Sequence, residues 1–256
     1  MDKLTPENLP SSKFPPDFDA KWRFFWAIGE RPKEVADDIP KVIPAAFPEW
    51  EKRMDLWGNM MVDACFTAGE MAAIGLGLDK DTFVSRMQGG PHLLSPTGSD
   101  LEKYGVGTTF AGFHYDLNFL TIHGKSRFPG LFIWLRNMKK VAVKIPPGCL
   151  LLQAGSMFEH MTGGYVLSGY HEVIYSEATK AAADKVREEN AEGGKRILWR
   201  VSSTLFSHLR YNVDISPLPE MKAYYNEEEA RAKYRPMTAH DKLMEELRAI
   251  NLAPNA

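Results

Sequence analysis

Residues 113–121 read FHYDLNFLT, an apolar and aromatic run that holds a His and an Asp two positions apart. Buried runs rarely keep a carboxylate unless something pairs with it. In a strand, residues i and i+2 point to the same face. His114 and Asp116 are therefore expected to project together from one strand. Such a pair can chelate a metal ion, form a hydrogen-bonded dyad that supports structure, or carry acid–base chemistry without metal.

Outward from this stretch, the chain from Asp81 to His208 alternates short apolar or β-branched runs with turn residues. Examples are GLFIWL (130–135), KKVAVKIPPG (139–148), CLLLQAG (149–155), HEVIYS (171–176) and ILWRVSSTLFSH (197–208). That texture predicts an all-β sandwich or small barrel. Helical texture flanks it. PEWEKRMDLWGNMMVDACFTAGEMAAIGLGL (48–78) has Pro48 at its start and glycines at its end. Met54, Trp57, Met61, Cys65 and Ala68 recur on one face of it. The charged, Ala-rich stretch 177–196 is expected to be a helical insertion, read as a solvated excursion ahead of a lid or partner surface. Residues 220–252 read as a C-terminal helical segment, with Thr238 as a cap, and residues 1–19 as an extended arm or disordered lead-in. KWRFFW (21–26) is compatible with helix or strand. The whole, 1–256, is expected to be a single domain.

Composition narrows the function classes. The 31 basic and 33 acidic residues leave a net charge of −2, which implies neither a nucleic-acid footprint nor an acidic tail. The two cysteines, Cys65 and Cys149, are too few for a disulfide framework and read as buried thiols. No secretory leader or membrane-length apolar run is present, so a cytoplasmic protein with a small-molecule substrate is expected, without nucleic-acid or membrane partners. The oligomeric state is not legible.

A third ligand would complete a metal site. His171 fits by pattern, because it follows a turn and begins an apolar strand. Two His and one carboxylate suit Fe(II) and leave coordination positions open. His123 and His160 read as surface or satisfied residues. Arg200 and Ser202, again i and i+2 on an apolar strand, suit the acid-binding end of a pocket, or an Arg paired with a protein carboxylate. Phe110, Phe113, Asn118 and Phe206 are candidate substrate-lining residues.

In this order, HYD, LTIHGKSRFPGLFIWL, VAVKIPPGCLLLQAGSMFEHMTGGYVLSGYHEV and RVS, the sequence resembles the iron(II)/2-oxoglutarate-dependent dioxygenases, in their isopenicillin N synthase-like branch, over roughly residues 48–250. The resemblance implies a double-stranded β-helix, or jelly roll, with flanking helices. It implies His114, Asp116 and His171 as iron ligands, and Arg200 and Ser202 as the pair that holds the far carboxylate of 2-oxoglutarate. It implies Fe(II), 2-oxoglutarate and O2, and oxidation of a small organic substrate by hydroxylation, desaturation or ring closure. Two alternatives stand beside it. One is an Fe(II) oxidase that does not use 2-oxoglutarate, with Arg200 and Ser202 on a substrate carboxylate. The other is a non-catalytic jelly-roll binding protein. The sequence departs from the family where its N-terminal segment is largely missing and where Asn-Tyr-Tyr-Pro is absent ahead of the metal strand. Glu172 stands in place of the Arg after the distal His, and Arg200 lies 29 residues beyond His171.

Overall fold

A computed structural model describes residues 4–12, 18–30 and 41–249. Its strands form two antiparallel sheets, the jelly roll expected from the sequence. The first has the order β1 (Trp22–Arg23), β3 (Leu93–Asp100), β10 (Trp199–Ser207), β5 (Leu120–His123) and β8 (Leu151–Ala154), with β2 (Trp26–Ala27) also on β3. The second has the order β4 (Thr109–His114), β9 (His171–Ile174), β6 (Leu131–Trp134) and β7 (Lys140–Ala142). The ambiguous KWRFFW stretch is thus two short edge pairings.

Strand β10 shows how the sequence sorts itself between layers. Leu205 is fully buried toward helix α1 (Trp50–Gly75), and Ser203 on the same face accepts a 2.7 Å hydrogen bond from Trp57 Nε1. The alternate residues Arg200, Ser202, Thr204 and Phe206 line a cavity between the sheets. Helix α1 buries Met54, Gly58, Met61, Val62, Cys65, Gly69 and Ala73. Its packed face therefore leans further toward the glycines than the expected row, and Trp57 is 38% exposed. Each large side chain fully buried there contributes about 1.5–3 kcal/mol.

Three features depart from the sequence reading. Helices α2 (Asp81–Met87) and α3 (Ser156–Met161) interrupt the region read as purely β. Both bury aromatics, Phe83 and Phe158, whose rings meet at 5.1 Å, so packing rather than propensity holds these short helices. Cys149 is exposed, although Cys65 is buried as expected.

Helix α4 (Glu177–Ala191) is not a solvated excursion. It buries Thr179, Ala183 and Val186, and the last two join a second apolar cluster with Leu101, Phe110, Phe128, Tyr175 and Leu198. Its start is fixed by a reciprocal cap. Ser176 Oγ accepts from Thr179 N at 3.2 Å, and Thr179 Oγ1 accepts from Ser176 N at 3.1 Å.

The described part of residues 1–19 is docked. Ser12 Oγ accepts from Phe113 N at 2.9 Å, and Asn8 O accepts from Trp134 Nε1 at 2.7 Å. Residues 1–3 and 13–17 lie outside the described residues. Helices α5 (Glu227–Lys233) and α6 (Ala239–Ala249) close the chain, with residues 250–252 of the expected helical segment outside the description. Thr238 and Asp241 cap α6 reciprocally: Thr238 Oγ1 accepts from Asp241 N, and Asp241 Oδ2 accepts from Thr238 N.

Candidate metal centre and cavity

The register of β4 and β9 sets His114 directly opposite His171, with ring centroids 4.2 Å apart. Strand β4 ends at His114, so Asp116 sits on the turn into β5 rather than within a strand. The backbone turn holds it there: Ser156 N donates to Asp116 O at 2.8 Å. One ligand atom each from His114, Asp116 and His171 lies within 4.8 Å of the others.

The ring orientations are set from behind. His114 Nδ1 is 2.6 Å from Gly112 O, which leaves Nε2 to face Asp116 Oδ1 at 3.8 Å. His171 Nε2 faces the same oxygen at 3.9 Å, while its Nδ1 is 2.9 Å from Gln153 Nε2. Gln153 Nε2 also donates to Gly169 O at 2.8 Å. Asp116 Oδ2 accepts from Thr121 Oγ1 at 2.7 Å and from Gln153 Nε2 at 3.3 Å. No hydrogen bond reaches Oδ1 among the described residues. Oδ1 and the two Nε2 atoms thus converge on one corner, while the Thr121 and Gln153 donors are on Oδ2.

Charge agrees with that geometry. Burial alone pushes Asp116 up, but His171, His123, His114 and the Thr121 hydroxyl together hold it below the usual carboxylate range. Burial lowers His171 and His123. His114, whose ring edge opens into the cavity, is held down to about 4 by the protein packed round it and by His171. Neutral imidazoles and an ionised carboxylate form the donor set a divalent cation requires. Adjacent ligands with bonds of about 2.0–2.2 Å to a small divalent ion stand about 3 Å apart, so the 3.8 and 3.9 Å separations need a closure of about 1 Å by side-chain rotation. With that closure the residues fit an iron ion.

The metal corner opens into a cavity of about 400 Å³. Arg200 lies in its wall, 8% exposed, and donates from Nε to Pro129 O at 3.0 Å. Thr179 Oγ1 of α4 donates to the same carbonyl at 3.2 Å. Helix α4 thereby steadies the loop against which Arg200 rests. No carboxylate pairs with Arg200 among the described residues. Burial alone lowers its guanidinium to about 10, and no acid offsets that burial. The described residues thus give no support to Arg200 as one half of a protein ion pair. A buried guanidinium without an acid partner fits the far carboxylate of a bound dicarboxylate.

Of the lining residues expected from sequence, Phe110, Phe206 and Ser202 border the cavity. Phe113 does not: it points to the other face of β4 and stacks on Tyr170 at 4.9 Å. Asn118 does not either. It is buried and donates to Leu120 O at 2.6 Å and Ser207 O at 3.2 Å, a tie between strands.

Four residues near the site escaped the sequence reading. His123 lines the cavity, with its ring 5.6 Å from His171, and is not a surface residue. The signal was alternation, since His123 follows Thr121 by two in LTIH. Gln153 is a buried amide within LLQA. Lys21 and Arg23, also i and i+2, line the cavity from β1 and the residue before it. His160 is satisfied as expected, with Nε2 2.9 Å from Arg235 O.

A jelly roll with a His-x-Asp turn and a distal His opposite it defines a non-haem metal protein of the facial-triad kind. Residues 95–209 match the model of the 2OG-Fe(II) oxygenase superfamily. That match, with the His114–Asp116–His171 cluster, implies Fe(II), 2-oxoglutarate and O2. Two curated relatives, each named 1-aminocyclopropane-1-carboxylate oxidase, come from Dictyostelium mucoroides and Dictyostelium discoideum. Each is 32% identical over 80 residues, which are 31% of this chain and 20% of the relative. The chain thus matches about a fifth of those relatives' length. Among solved structures, a 2OG-Fe(II) oxygenase family protein from Caulobacter crescentus superposes with a TM-score of 0.72 at 22% identity, covering 90% of this chain and 69% of that one. A full-length Neurospora crassa protein in complex with alpha-KG gives 0.71 at 18% identity, covering 90% and 66%. These likenesses are of fold. Among the described residues no helix is long and apolar enough to cross a membrane.

Proposed function

We propose that the protein is an Fe(II)- and 2-oxoglutarate-dependent dioxygenase that oxidises a small organic substrate by hydroxylation, desaturation or ring closure, releasing succinate and CO2. The observation that carries this reading is Arg200, a buried guanidinium with no acid partner among the described residues, in the cavity that the triad opens into. His114, Asp116 and His171 would hold the iron, and Arg200 with Ser202 would hold the far carboxylate of 2-oxoglutarate. Iron, 2-oxoglutarate and O2 together supply the oxidising power when bound.

The chain's own part is positioning and exclusion of water. Gly112 O and Gln153 fix the imidazole orientations, a contribution of the kind that changes metal affinity about 10–100-fold. Thr121 and Gln153 occupy one oxygen of Asp116 and leave the other to the metal. Phe110 and Phe206 give the cavity an apolar wall, which suits a carbon skeleton. Pro129 O, shared by Arg200 and Thr179, fixes the guanidinium.

The test is turnover. Iron-loaded protein should consume 2-oxoglutarate and release succinate, slowly without substrate and faster with it. No consumption under either condition would end this reading. A second reading draws on the relatives named 1-aminocyclopropane-1-carboxylate oxidase. It keeps the iron and places a substrate carboxylate on Arg200 and Ser202. Iron-dependent O2 uptake without succinate would favour it.

A further inference from the structure

The cavity carries more positive charge than iron and 2-oxoglutarate account for. Arg200, Lys21, Arg23, Lys125, Arg127 and Lys144 all border it, and among the described residues Asp116, the metal ligand, is the only acid that does. The whole chain has slightly more acids than bases, so composition does not explain this imbalance. Lys21 is matched locally, since its Nζ is 2.6 Å from Asp19, which also accepts from Gly112 N at 2.9 Å. Arg23, Lys125, Arg127 and Lys144 have no ion pair among the described residues.

Arg23 is the one of these that lies against aromatic rings. Its guanidinium carbon lies 5.8 Å from the centre of the Phe25 ring and 5.5 Å from that of Phe206. Arg23 is exposed at the edge of the cavity, and contact with two rings orients its side chain while using none of its N–H donors. Its backbone sits opposite Thr97, which is opposite Ser202, two strands of about 4.8 Å spacing across the cavity wall. Its head reaches along the wall to Phe206. Phe206 pairs with Thr121, the residue whose hydroxyl holds Asp116. Arg200, by contrast, turns its head to Pro129 O. The two guanidinium groups therefore address different parts of the cavity.

We infer that the substrate is a small organic acid whose carboxylate pairs with Arg23 and whose apolar body lies along Phe206 and Phe110 toward the metal. This rests on the oxygenase reading above, in which Arg200 is taken by 2-oxoglutarate. The planar fork of Arg23 matches a carboxylate with two parallel hydrogen bonds. Lys125, Arg127 and Lys144 at the rim raise the local concentration of anions.

The experiment uses the full chain with Zn(II) as a redox-inert stand-in for iron and saturating 2-oxoglutarate. Ligand-observed NMR measures the binding of benzoate, phenylacetate and hexanoate, each against its own primary amide. At least one acid should bind about tenfold more tightly than its amide, the scale of one charge-assisted pair. In Arg23→Gln that preference should fall to about twofold or less, and Arg23→Lys should keep part of it. The affinity for 2-oxoglutarate should change by less than about twofold in both variants, because Arg200 is untouched. The inference is overturned if no acid outbinds its amide, or if the preference survives Arg23→Gln. Failure of the metal-loaded wild type to bind 2-oxoglutarate at all would overturn the oxygenase reading, and this inference with it.

Discussion

Strand β9 carries two neighbouring polar residues to opposite faces, His171 inward to Asp116 and Glu172 outward to the N-terminal segment. The carboxylates on the two sides make an instructive pair. Glu172 is 0% exposed and Asp116 is 6% exposed. Glu172 is surrounded by donors: Ser11 N, Ser12 N, Ser12 Oγ at 2.9 Å and Lys140 Nζ at 2.6 Å. Burial pushes it up, but Lys140 and the serine donors hold it below the usual carboxylate range. Asp116 has donors on one oxygen and only imidazole edges before the other. A buried charge completed by its own chain is scaffold, whereas a buried charge left incomplete by one corner is a site. The same contrast separates Lys140, which has Glu172, from Arg200, which has no acid partner among the described residues.

The largest effect that would test this contrast is on metal. Asp116→Ala should abolish measurable binding of Fe(II) or Mn(II) in calorimetric titration, while the metal-free variant stays within about 1 kcal/mol of wild type in urea denaturation. Glu172→Ala should do the reverse. It leaves Lys140 part-buried without its partner and releases the docked segment, at a cost of about 3–5 kcal/mol, with metal affinity retained by the folded fraction. Equal loss of stability in both variants would break the distinction. Gln153→Leu should lower metal affinity about 10–100-fold by freeing the His171 ring, without abolishing binding.

The smallest expected effect concerns pH and a second scaffold carboxylate. Burial raises Glu159, but Lys233, Ser168 and Tyr234 overcome it and hold the group at about 2 against an ordinary 4.5. A depressed carboxylate contributes stability that is fully present above pH ~4.5 and is lost as pH falls toward ~2. Glu159→Gln should therefore cost about 1–2 kcal/mol at neutral pH and flatten the stability profile across that window, as read from denaturation midpoints.

What the sequence disclosed follows from which physical rule each residue obeys. His171, Arg200 and Ser202 stand on strands whose alternation is visible, so their shared orientation could be inferred. The apolar runs that became β5 to β10 were legible for the same reason. Helices α2 and α3 were not, because six or seven residues show no helical period and tertiary packing of Phe83 and Phe158 decides them. Phe113 was misplaced against the alternation itself: as the neighbour of His114 it faces the other side of β4, where it stacks on Tyr170. Asn118 was misread because a buried amide that ties backbone looks, in sequence, like a polar pocket residue. Helix α4 read as solvated because its apolar stripe is only Ala183 and Val186, with Thr179 beside them. Arg23 lay in a stretch whose strand pairing depends on β3, some seventy residues away.

The central claim is that His114, Asp116 and His171 assemble with a metal the place where 2-oxoglutarate binds, and that Arg200 completes it. Calorimetric titration of 2-oxoglutarate tests this most directly. The account predicts binding to Mn(II)-loaded protein, none after metal removal or in Asp116→Ala, and affinity about 10–100-fold weaker in Arg200→Ala. Binding that is indifferent to the metal, or unchanged in Arg200→Ala, would contradict it.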